Sequence, residues 1–200
     1  MMRSRKNTLT FHQKKKIITP KLIREIFSWI IVTFLGIAIA MGLVFAFGMQ
    51  VMVIGDSMEP SLVNGQKVLV DRALSGIISP KRGEIIVFLP NGNTNSHYYV
   101  KRVVGVPGDV VQITDGILYI NNMPSGEDPE SFDKMADAGI AANPVTLKSG
   151  EYFVLGDNRN SSEDSRSANI GIVSSNMCVG KVWFKLTFED NKGGPVLNDY

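Results

Sequence analysis

The 200 residues suit one modest domain with a buried core and a short appendage. Cys178 is the only cysteine, which excludes an intramolecular disulfide, and the sequence has no Gly-rich phosphate loop, His/Cys metal-ligand cluster or internal repeat. The formal net charge is +2, but residues 1–25 carry +7 (eight Lys/Arg, one Asp/Glu) and the remainder −5 (13 basic, 18 acidic). Because the basic excess lies outside the domain, we predict no nucleic-acid partner. Because the motifs for metals and nucleotides are absent, we predict no metal and no cofactor.

The basic arm, residues 1–25, directly precedes an apolar run, residues 26–49, that contains no charged residue. At the helical rise a run of this length is about 36 Å long, enough to cross a hydrocarbon core of about 30 Å with some tilt. We predict that the arm contacts anionic lipid and that residues 26–49 form a single transmembrane anchor. The Lys/Arg excess predicts a cytoplasmic N-terminus, with residues 50–200 outside the cell.

A cleaved signal peptide is the alternative to this anchor. Ala46-Phe47-Gly48 has the small-x-small spacing of a signal-peptide cleavage site. Against it, the apolar run is longer than the usual core of a signal peptide, and the arm before it is unusually long. We favour the retained anchor.

Residues 50–200 are rich in short β-branched and aromatic runs, separated by turn sequences such as Asn64-Gly65 and Pro107-Gly108. Seven strands are predicted, at residues 67–70, 84–89, 98–104, 109–113, 117–120, 152–155 and 179–184. The pattern predicts a mainly β, antiparallel, partly barrel-like domain behind the single N-terminal transmembrane helix.

Residues 122–150 interrupt this succession of predicted strands. They are rich in Gly, Pro, Asp and Ala and show no clear periodicity. We predict a surface excursion of the domain here, with a short helix around residues 130–138.

A turn-rich octapeptide, residues 55–62 (GDSMEPSL), follows the apolar run. A serine in a tight Gly-Asp-Ser turn, with a proline after it that prevents helix continuation, presents its hydroxyl from a fixed backbone. Ser57 is therefore a candidate nucleophile, although the same residues are also typical of an ordinary turn. A base is needed before the serine implies chemistry.

The two histidines of the chain are poor candidates for that base. His12 precedes the apolar run, so a membrane span would separate it from Ser57. His97 ends a polar, turn-rich stretch, residues 91–97, of the kind found in solvated loops. We expect that replacing His97 with Ala leaves any activity of Ser57 nearly intact.

Lysine is the other recognised base for serine, and Lys101 lies inside the strand predicted over residues 98–104. Alternation along this strand places Tyr99, Lys101 and Val103 on one face. A lysine between an aromatic residue and a valine is in a position where desolvation can lower the pKa of its amine. The alternative is a strand lysine with a solvated tip.

Four blocks occur in order along the chain: residues 55–62, 82–88 (RGEIIVF), 99–109 (YVKRVVGVPGD) and 156–166 (GDNRNSSEDSR). Together they resemble the type I signal peptidases, membrane-anchored Ser-Lys proteases that remove signal peptides from exported proteins. One block alone is weak evidence, whereas four in order behind a predicted membrane segment are specific. The resemblance extends from about residue 26 to residue 184.

The resemblance implies an acyl transfer in which Ser57 attacks a peptide carbonyl and neutral Lys101 removes its proton. A lysine with the ordinary pKa of about 10.4 is neutral in only about one molecule in 250 at pH 8. Burial must therefore lower the pKa of Lys101.

The resemblance also implies that residues 156–166 form a hydrogen-bonding shell that supports the lysine without performing chemistry. The supporting residues carried over are Ser162, expected to contact the Lys101 amine, the pair Asp164 and Arg166, and Asp157 paired with Arg102 or Arg159. For the oxyanion it implies the Ser57 backbone N–H. Some relatives have a serine two residues before the nucleophile as a second donor. This chain has Gly55 at that position and in this respect resembles the Gram-positive members.

The substrates implied are exported preproteins with small residues one and three positions before the cut, as in Ala-x-Ala. A shallow apolar pocket would enforce this preference by excluding larger side chains. The residues carried over as the pocket lining are Val53, Met58, Leu62 and Tyr99.

Two other classes of protein remain as alternatives. Self-cleaving repressor proteases share a related β fold and a Ser-Lys pair, but they are cytosolic and carry a DNA-binding domain, whereas this chain has a predicted span. A specialised or non-peptidase relative that assists pilus or surface-protein assembly would be expected to lack the serine or the lysine. Both Ser57 and Lys101 are present.

Overall fold

The computed structural model describes residues 19–72, 78–90, 97–126, 132–187 and 193–196. Most of the predicted basic arm, residues 1–18 with His12, lies outside the described residues, as do residues 91–96 of the turn-rich stretch before His97. The chain divides into two compact units, residues 1–41 and 42–200.

Helix α1 (Pro20–Phe47) begins six residues before the predicted anchor and ends two residues earlier. Proline suits the first turn, because the N–H that it lacks would have no helical acceptor there. The helix ends before Gly48, whose N–H donates to the Val44 carbonyl and where any side chain would collide with that carbonyl oxygen.

The segment Pro20–Phe45 of α1 is long and apolar enough to cross a membrane, and none of it is buried inside the protein. A helix that is apolar along its whole length needs an apolar environment around it. Its exposure is therefore consistent with membrane anchoring.

The residues after α1 form two antiparallel sheets. The described strands are β1 (Met49–Met52), β2 (Lys67–Asp71), β3 (Ile85–Phe88), β4 (Tyr99–Gly105), β5 (Val110–Thr114), β6 (Ile117–Ile120), β7 (Met123–Pro124), β8 (Val145–Thr146), β9 (Glu151–Leu155), β10 (Val173–Ser174), β11 (Cys178–Lys185) and β12 (Gly194–Pro195). The larger sheet has the order β1-β2-β11-β3-β4-β9-β10, with β12 beside β11, and the smaller has the order β7-β6-β5-β8. The predicted mainly β, antiparallel fold is confirmed, and each of the seven predicted strands is present within two residues of its expected bounds.

The central strands β3 and β4 are covered on both faces of the larger sheet. Ile85 and Val87 of β3 belong to one core cluster, and Ile86 and Phe88 to another. Strand β4 pairs with β3 and β9 and is buried at six of its seven residues. Lys101 lies in this strand opposite Ile86, so the fold itself removes its stem from water.

The segment 122–150, predicted as a surface excursion, is exposed at most of its described residues and is also anchored to the core. It contains β7, β8 and a 3-10 turn (Gly139–Ala142), and Met135, Ala141 and Leu147 are buried in a core cluster with β5 and β6. The short helix predicted around residues 130–138 is wrong for residues 132–138, which are described and are not helical.

The Asn160 amide explains why no helix forms there. Its Oδ1 accepts from the Ala136 N–H at 2.9 Å, and its Nδ2 donates to the Lys134 carbonyl at 3.0 Å. Backbone groups that bond to a side chain are not available to a helix. This tertiary contact is invisible to local periodicity.

Candidate active site

The Ser57 turn is held from two directions. On one side Met58 and Leu62 are fully buried in a core cluster, and the Leu62 N–H donates to the Met58 carbonyl at 2.9 Å. On the other side the Asn158 N–H donates to the Ser57 carbonyl at 3.1 Å. Because both contacts restrain the backbone, the Ser57 hydroxyl occupies a defined position.

Gly55 begins this turn in the left-handed region, with φ of 83°, where residues with a side chain are strained. Its N–H donates to Asn64 Oδ1 at 3.0 Å. The turn conformation therefore favours glycine at the position where some relatives have a serine.

Lys101 Nζ lies 2.6 Å from Ser57 Oγ, in a hydrogen bond that brings together residues 44 apart in sequence. The Lys101 side chain is almost completely buried, and this burial lowers its pKa from 10.5 to about 8. The carboxylates of Asp164, Asp157 and Glu163 oppose this effect, and the Arg166 guanidinium adds to it. The direction of this pKa shift, and burial as its cause, agree with the prediction from sequence.

Strand β4 also supplies Arg102, whose guanidinium forms a bidentate ion pair with Asp157. Nε donates to Oδ1 at 2.7 Å and Nη2 to Oδ2 at 2.6 Å, and both side chains are buried. The same guanidinium donates to the Gly83 carbonyl at 2.8 Å and to Ser61 Oγ at 3.0 Å. Arg102 thus links the Ser57 turn to the residue 156–166 loop.

Of the two arginines predicted as partners for Asp157, the structure selects Arg102. Arg159 Nε donates instead to the Gly156 carbonyl at 3.1 Å, and its guanidinium lies 4.2 Å from the centre of the Phe132 ring. Both arginines are buried, but only Arg102 comes from the strand that carries Lys101.

The predicted pair of Asp164 and Arg166 is present and buried. Arg166 donates from Nε to Oδ1 and from Nη2 to Oδ2 of Asp164, each at 2.9 Å. Asp164 Oδ2 also accepts from the Gly156 N–H at 3.1 Å, and Arg166 donates to the Asp137 and Arg159 carbonyls. This pair closes the loop over residues 156–166 on itself.

Ser162 does not form the contact with the Lys101 amine that the sequence predicted. Its Oγ is buried and has no hydrogen-bond partner among the described residues, so the predicted hydrogen bond to Lys101 is not formed in this structure. The hydroxyl nevertheless lies close to the nucleophile, because a side chain at Gly156 would meet both Ser162 Oγ and the Ser57 carbonyl oxygen.

A cleft of about 420 Å³ opens at Ser57 and Lys101. Its apolar lining includes the predicted Val53 and Tyr99, together with Ile54 and Val100. The other two predicted pocket residues, Met58 and Leu62, are not among its lining residues. They have no exposed surface, because the turn that presents Ser57 directs them into the core.

The cleft also contains residues that sequence reasoning missed, notably Asp56, Tyr98 and Glu163. Asp56 and Glu163 lie inside two of the four sequence blocks, which is the signal that could have identified them. His97 is exposed at the cleft and forms no hydrogen bond to Ser57. In the described part of the chain no group of three or more His, Cys, Asp or Glu could hold a metal ion.

A serine hydroxyl bonded to a buried amine of lowered pKa is a nucleophile-base pair suited to acyl transfer. The two buried ion pairs give the loop beside it a fixed backbone, and the cleft leaves room for an extended peptide.

Comparison with known proteins gives a consistent result. Residues 26–187 match the family model described as signal peptidase, peptidase S26. Signal peptidase I T of Bacillus subtilis (strain 168) is 37% identical over 132 residues, 63% of this chain and 67% of that protein. Signal peptidase IB of Staphylococcus aureus (strain COL) is 33% identical over 180 residues, 81% of this chain and 90% of that protein. A crystal structure of a signal peptidase I from Enterococcus faecalis V583 aligns with 31% identity and a TM-score of 0.40, covering 52% of this chain and 97% of that one.

Proposed function

Because the chain belongs to the signal peptidase family, peptidase S26, we propose that it is a membrane-anchored serine endopeptidase that removes signal peptides from exported preproteins. The observation that carries the proposal is the 2.6 Å contact between Lys101 Nζ and Ser57 Oγ at a cleft. With a pKa of about 8, about half of the Lys101 amine is neutral at pH 8, about a hundred times the fraction of an ordinary lysine.

In the proposed reaction, neutral Lys101 Nζ accepts the hydroxyl proton of Ser57 while Oγ attacks the carbonyl carbon of the scissile bond. The carbon–nitrogen bond then breaks, the Lys101 ammonium gives its proton to the leaving amine, and the acyl group stays on Ser57. A water then gives a proton to Lys101 and attacks the ester carbon. The bond from this carbon to Ser57 Oγ breaks, Lys101 returns the proton to Oγ, and the signal peptide leaves with a free carboxylate.

The negative charge that develops on the carbonyl oxygen needs a donor, and we assign the Ser57 backbone N–H to this role. Within the described residues this N–H has no acceptor, so it is available. Gly55 supplies no side-chain donor, and the left-handed conformation at this position would strain a serine.

We assign the supporting role to the two buried ion pairs. Asp157 with Arg102 and Asp164 with Arg166 hold the loop that contacts the Ser57 carbonyl, so they orient the site without touching the substrate. Ser162 lies beside Gly156 in the same loop, and its hydroxyl has no hydrogen-bond partner in the described part of the chain.

Cleavage after small-x-small sites such as Ala-x-Ala is the specificity that we propose. Val53 and Tyr99 remain as the predicted pocket residues, with Ile54 and Val100 beside them. An apolar wall of this kind selects small side chains by excluding larger ones.

We propose that α1 is a retained anchor that spans the membrane once. The apolar helix is exposed along its length, and the basic residues before it favour a cytoplasmic N-terminus. The catalytic domain would then lie outside the cell.

The test is cleavage of a secretory precursor with an Ala-x-Ala site by the full chain in detergent micelles. The wild type is expected to cut after the second alanine, and Ser57→Ala and Lys101→Met are expected to lose at least about a thousandfold in kcat/KM. Matched controls are Ser149→Ala and Lys148→Met, which change exposed residues outside the cleft and should retain full activity.

Failure would take one of two forms. Inactivity of the wild type on several precursors would contradict the peptidase function and favour a relative that assists pilus or surface-protein assembly. Full activity of folded Lys101→Met would contradict the Ser-Lys assignment while leaving the peptidase function intact.

A further inference from the structure

The cleft carries two carboxylates that the proposed mechanism does not use, Asp56 and Glu163. Both residues are exposed. Lys101 also lines the cleft, but it is buried and its Nζ is bonded to Ser57 Oγ. Among the described residues that line the cleft there is no arginine and no second lysine. A substrate in the cleft therefore faces two negative side chains that no exposed cationic Lys or Arg balances.

Glu163 is restrained by one exposed hydrogen bond. Asn169 Nδ2 donates to its Oε1 at 3.1 Å, and Oε2 has no partner within the described part of the chain. Glu163 also lies between Ser162 and Asp164, in the loop closed by the Asp164–Arg166 ion pair. A carboxylate with one restrained oxygen and one available oxygen is preorganised to accept a hydrogen bond from a ligand.

The charge of Glu163 is close enough to be felt at the reacting atoms. It acts on the Lys101 amine together with Asp164 and Asp157. Those two carboxylates are already paired with Arg166 and Arg102, whereas the one hydrogen bond to the Glu163 carboxylate from the described residues comes from a neutral amide.

Asp56 approaches the same space from the other wall. It directly precedes Ser57, in the turn that the buried Met58 and Leu62 fix. Its backbone carbonyl accepts from the Glu59 N–H at 3.2 Å, and its carboxylate has no hydrogen-bond partner among the described residues. The two carboxylates thus come from the two segments that meet at the nucleophile.

We propose that Glu163 and Asp56 determine a charge preference of the cleft, which favours precursors with a lysine or arginine among the residues that flank the cut bond and disfavours acidic residues there. This inference rests on the proposed function and adds a selection that the apolar pocket cannot make. A cation near the cut gains attraction to both carboxylates, and an anion there is repelled. Each interaction between a substrate charge and one of these exposed carboxylates is expected to change kcat/KM by about two- to fivefold at low salt. The effect should be smaller as ionic strength rises.

The test uses the full chain in detergent micelles and precursor peptides that share one Ala-x-Ala site. Lys, Gln or Glu is placed at the x position and at each of the first two positions after the cut. The wild type is expected to show a ratio of kcat/KM for Lys over Glu of about fourfold or more at one of these positions at low salt, and a smaller ratio at high salt.

Variants of the two carboxylates decide the assignment. Glu163→Gln and Asp56→Asn should each lower the Lys/Glu ratio, Glu163→Lys alone should bring it close to one, and Glu163→Lys combined with Asp56→Asn should reverse it. The matched control Asp115→Asn removes the same charge from an exposed turn between β5 and β6, where φ of 53° suits asparagine, and should leave the ratio unchanged.

Equal kcat/KM for the Lys, Gln and Glu peptides would overturn this inference and leave the proposed function standing. An unchanged ratio in folded Glu163→Gln and Asp56→Asn would overturn it as well. Failure of the wild type to cut any of the peptides would instead contradict the proposed function itself.

Discussion

At the scale of single residues, the proposed mechanism depends on one amine that the fold keeps out of water. Burial lowers the pKa of Lys101 to about 8 against the pull of three nearby carboxylates. Because the neutral amine is the proposed base, Lys101 must be unprotonated when Ser57 attacks the substrate.

The pH dependence of activity follows from this pKa. We expect kcat/KM to rise about tenfold per pH unit below pH 8 and to level off above it, since kcat/KM reports the free enzyme. The measurement is cleavage of an Ala-x-Ala peptide between pH 5 and 10 in micelles. A profile whose rising limb is centred near pH 10.5 would show that Lys101 is not desolvated.

The same burial has a cost in stability. Between pH 8 and pH 10.5 the unfolded chain binds more protons at Lys101 than the folded protein does, so this residue makes stability rise with pH over that range. Below pH 8 Lys101 is protonated in both states, so burial of its charge lowers stability by the full amount.

Lys101→Met should therefore be inactive yet more stable than the wild type at pH 7, by up to about 3 kcal/mol, and the gain should shrink at pH 10. The measurement is thermal unfolding of both proteins in the same micelles at the two pH values. Lys148→Met, an exposed control, should change the midpoint at neither pH. A Lys101→Met variant that is less stable at pH 7 would contradict the expected desolvation cost.

At the scale of elements, the site is the junction of strand β4, the Ser57 turn and the loop over residues 156–166. Strand β4 contributes Lys101 and Arg102 in succession, one directed to Ser57 and the other to Asp157 and Ser61. Removing one partner of a buried ion pair leaves the other charge buried and unpaired, which typically lowers the free energy of unfolding by about 3–5 kcal/mol. The pairs therefore fix the loop position more than they add net stability.

The loop packs tightly against the Ser57 backbone at Gly156. A side chain there would collide with Ser162 Oγ and with the Ser57 carbonyl oxygen. We expect Gly156→Ala to lower kcat/KM by about a hundredfold or more while the sheets remain folded, because a displacement of about 1 Å at the reacting groups has that effect.

Cleavage rates and far-UV circular dichroism of Gly156→Ala provide the check. Gly194→Ala is the matched control, since a side chain at Gly194 meets nothing within 4 Å. Near-normal activity of Gly156→Ala would mean that the loop can move without disturbing Ser57.

At the scale of the whole molecule, two compact units with different physical characters are joined in one chain. The apolar helix exposes its side chains along its length, whereas the sheets bury theirs in three clusters. The helix is long and apolar enough to cross a membrane, and the sheets have core clusters of their own.

The proposed topology predicts the result of a protease-protection experiment. With tags at both ends of the chain, protease added to intact cells should remove the C-terminal tag and leave the N-terminal one. The protein should also stay with the membrane fraction during alkaline extraction. Protection of the C-terminal tag in intact cells would reverse the orientation, and release on extraction would contradict the anchor.

Features that depend on neighbours along the chain could be predicted before the structure was known. Apolar length predicted α1, β-branched runs between turn residues predicted seven strands, and four ordered blocks identified Ser57 and Lys101 as the reacting pair to test. Periodicity and composition act over a few residues, so they can be read from the chain directly.

Which residues meet across long separations is visible in the tertiary structure alone. It pairs Asp157 with Arg102, turns Met58 into the core, and gives the Ser162 hydroxyl no hydrogen-bond partner among the described residues. These outcomes depend on distances and burial that arise when strands and loops far apart in sequence pack together, and no local pattern encodes them.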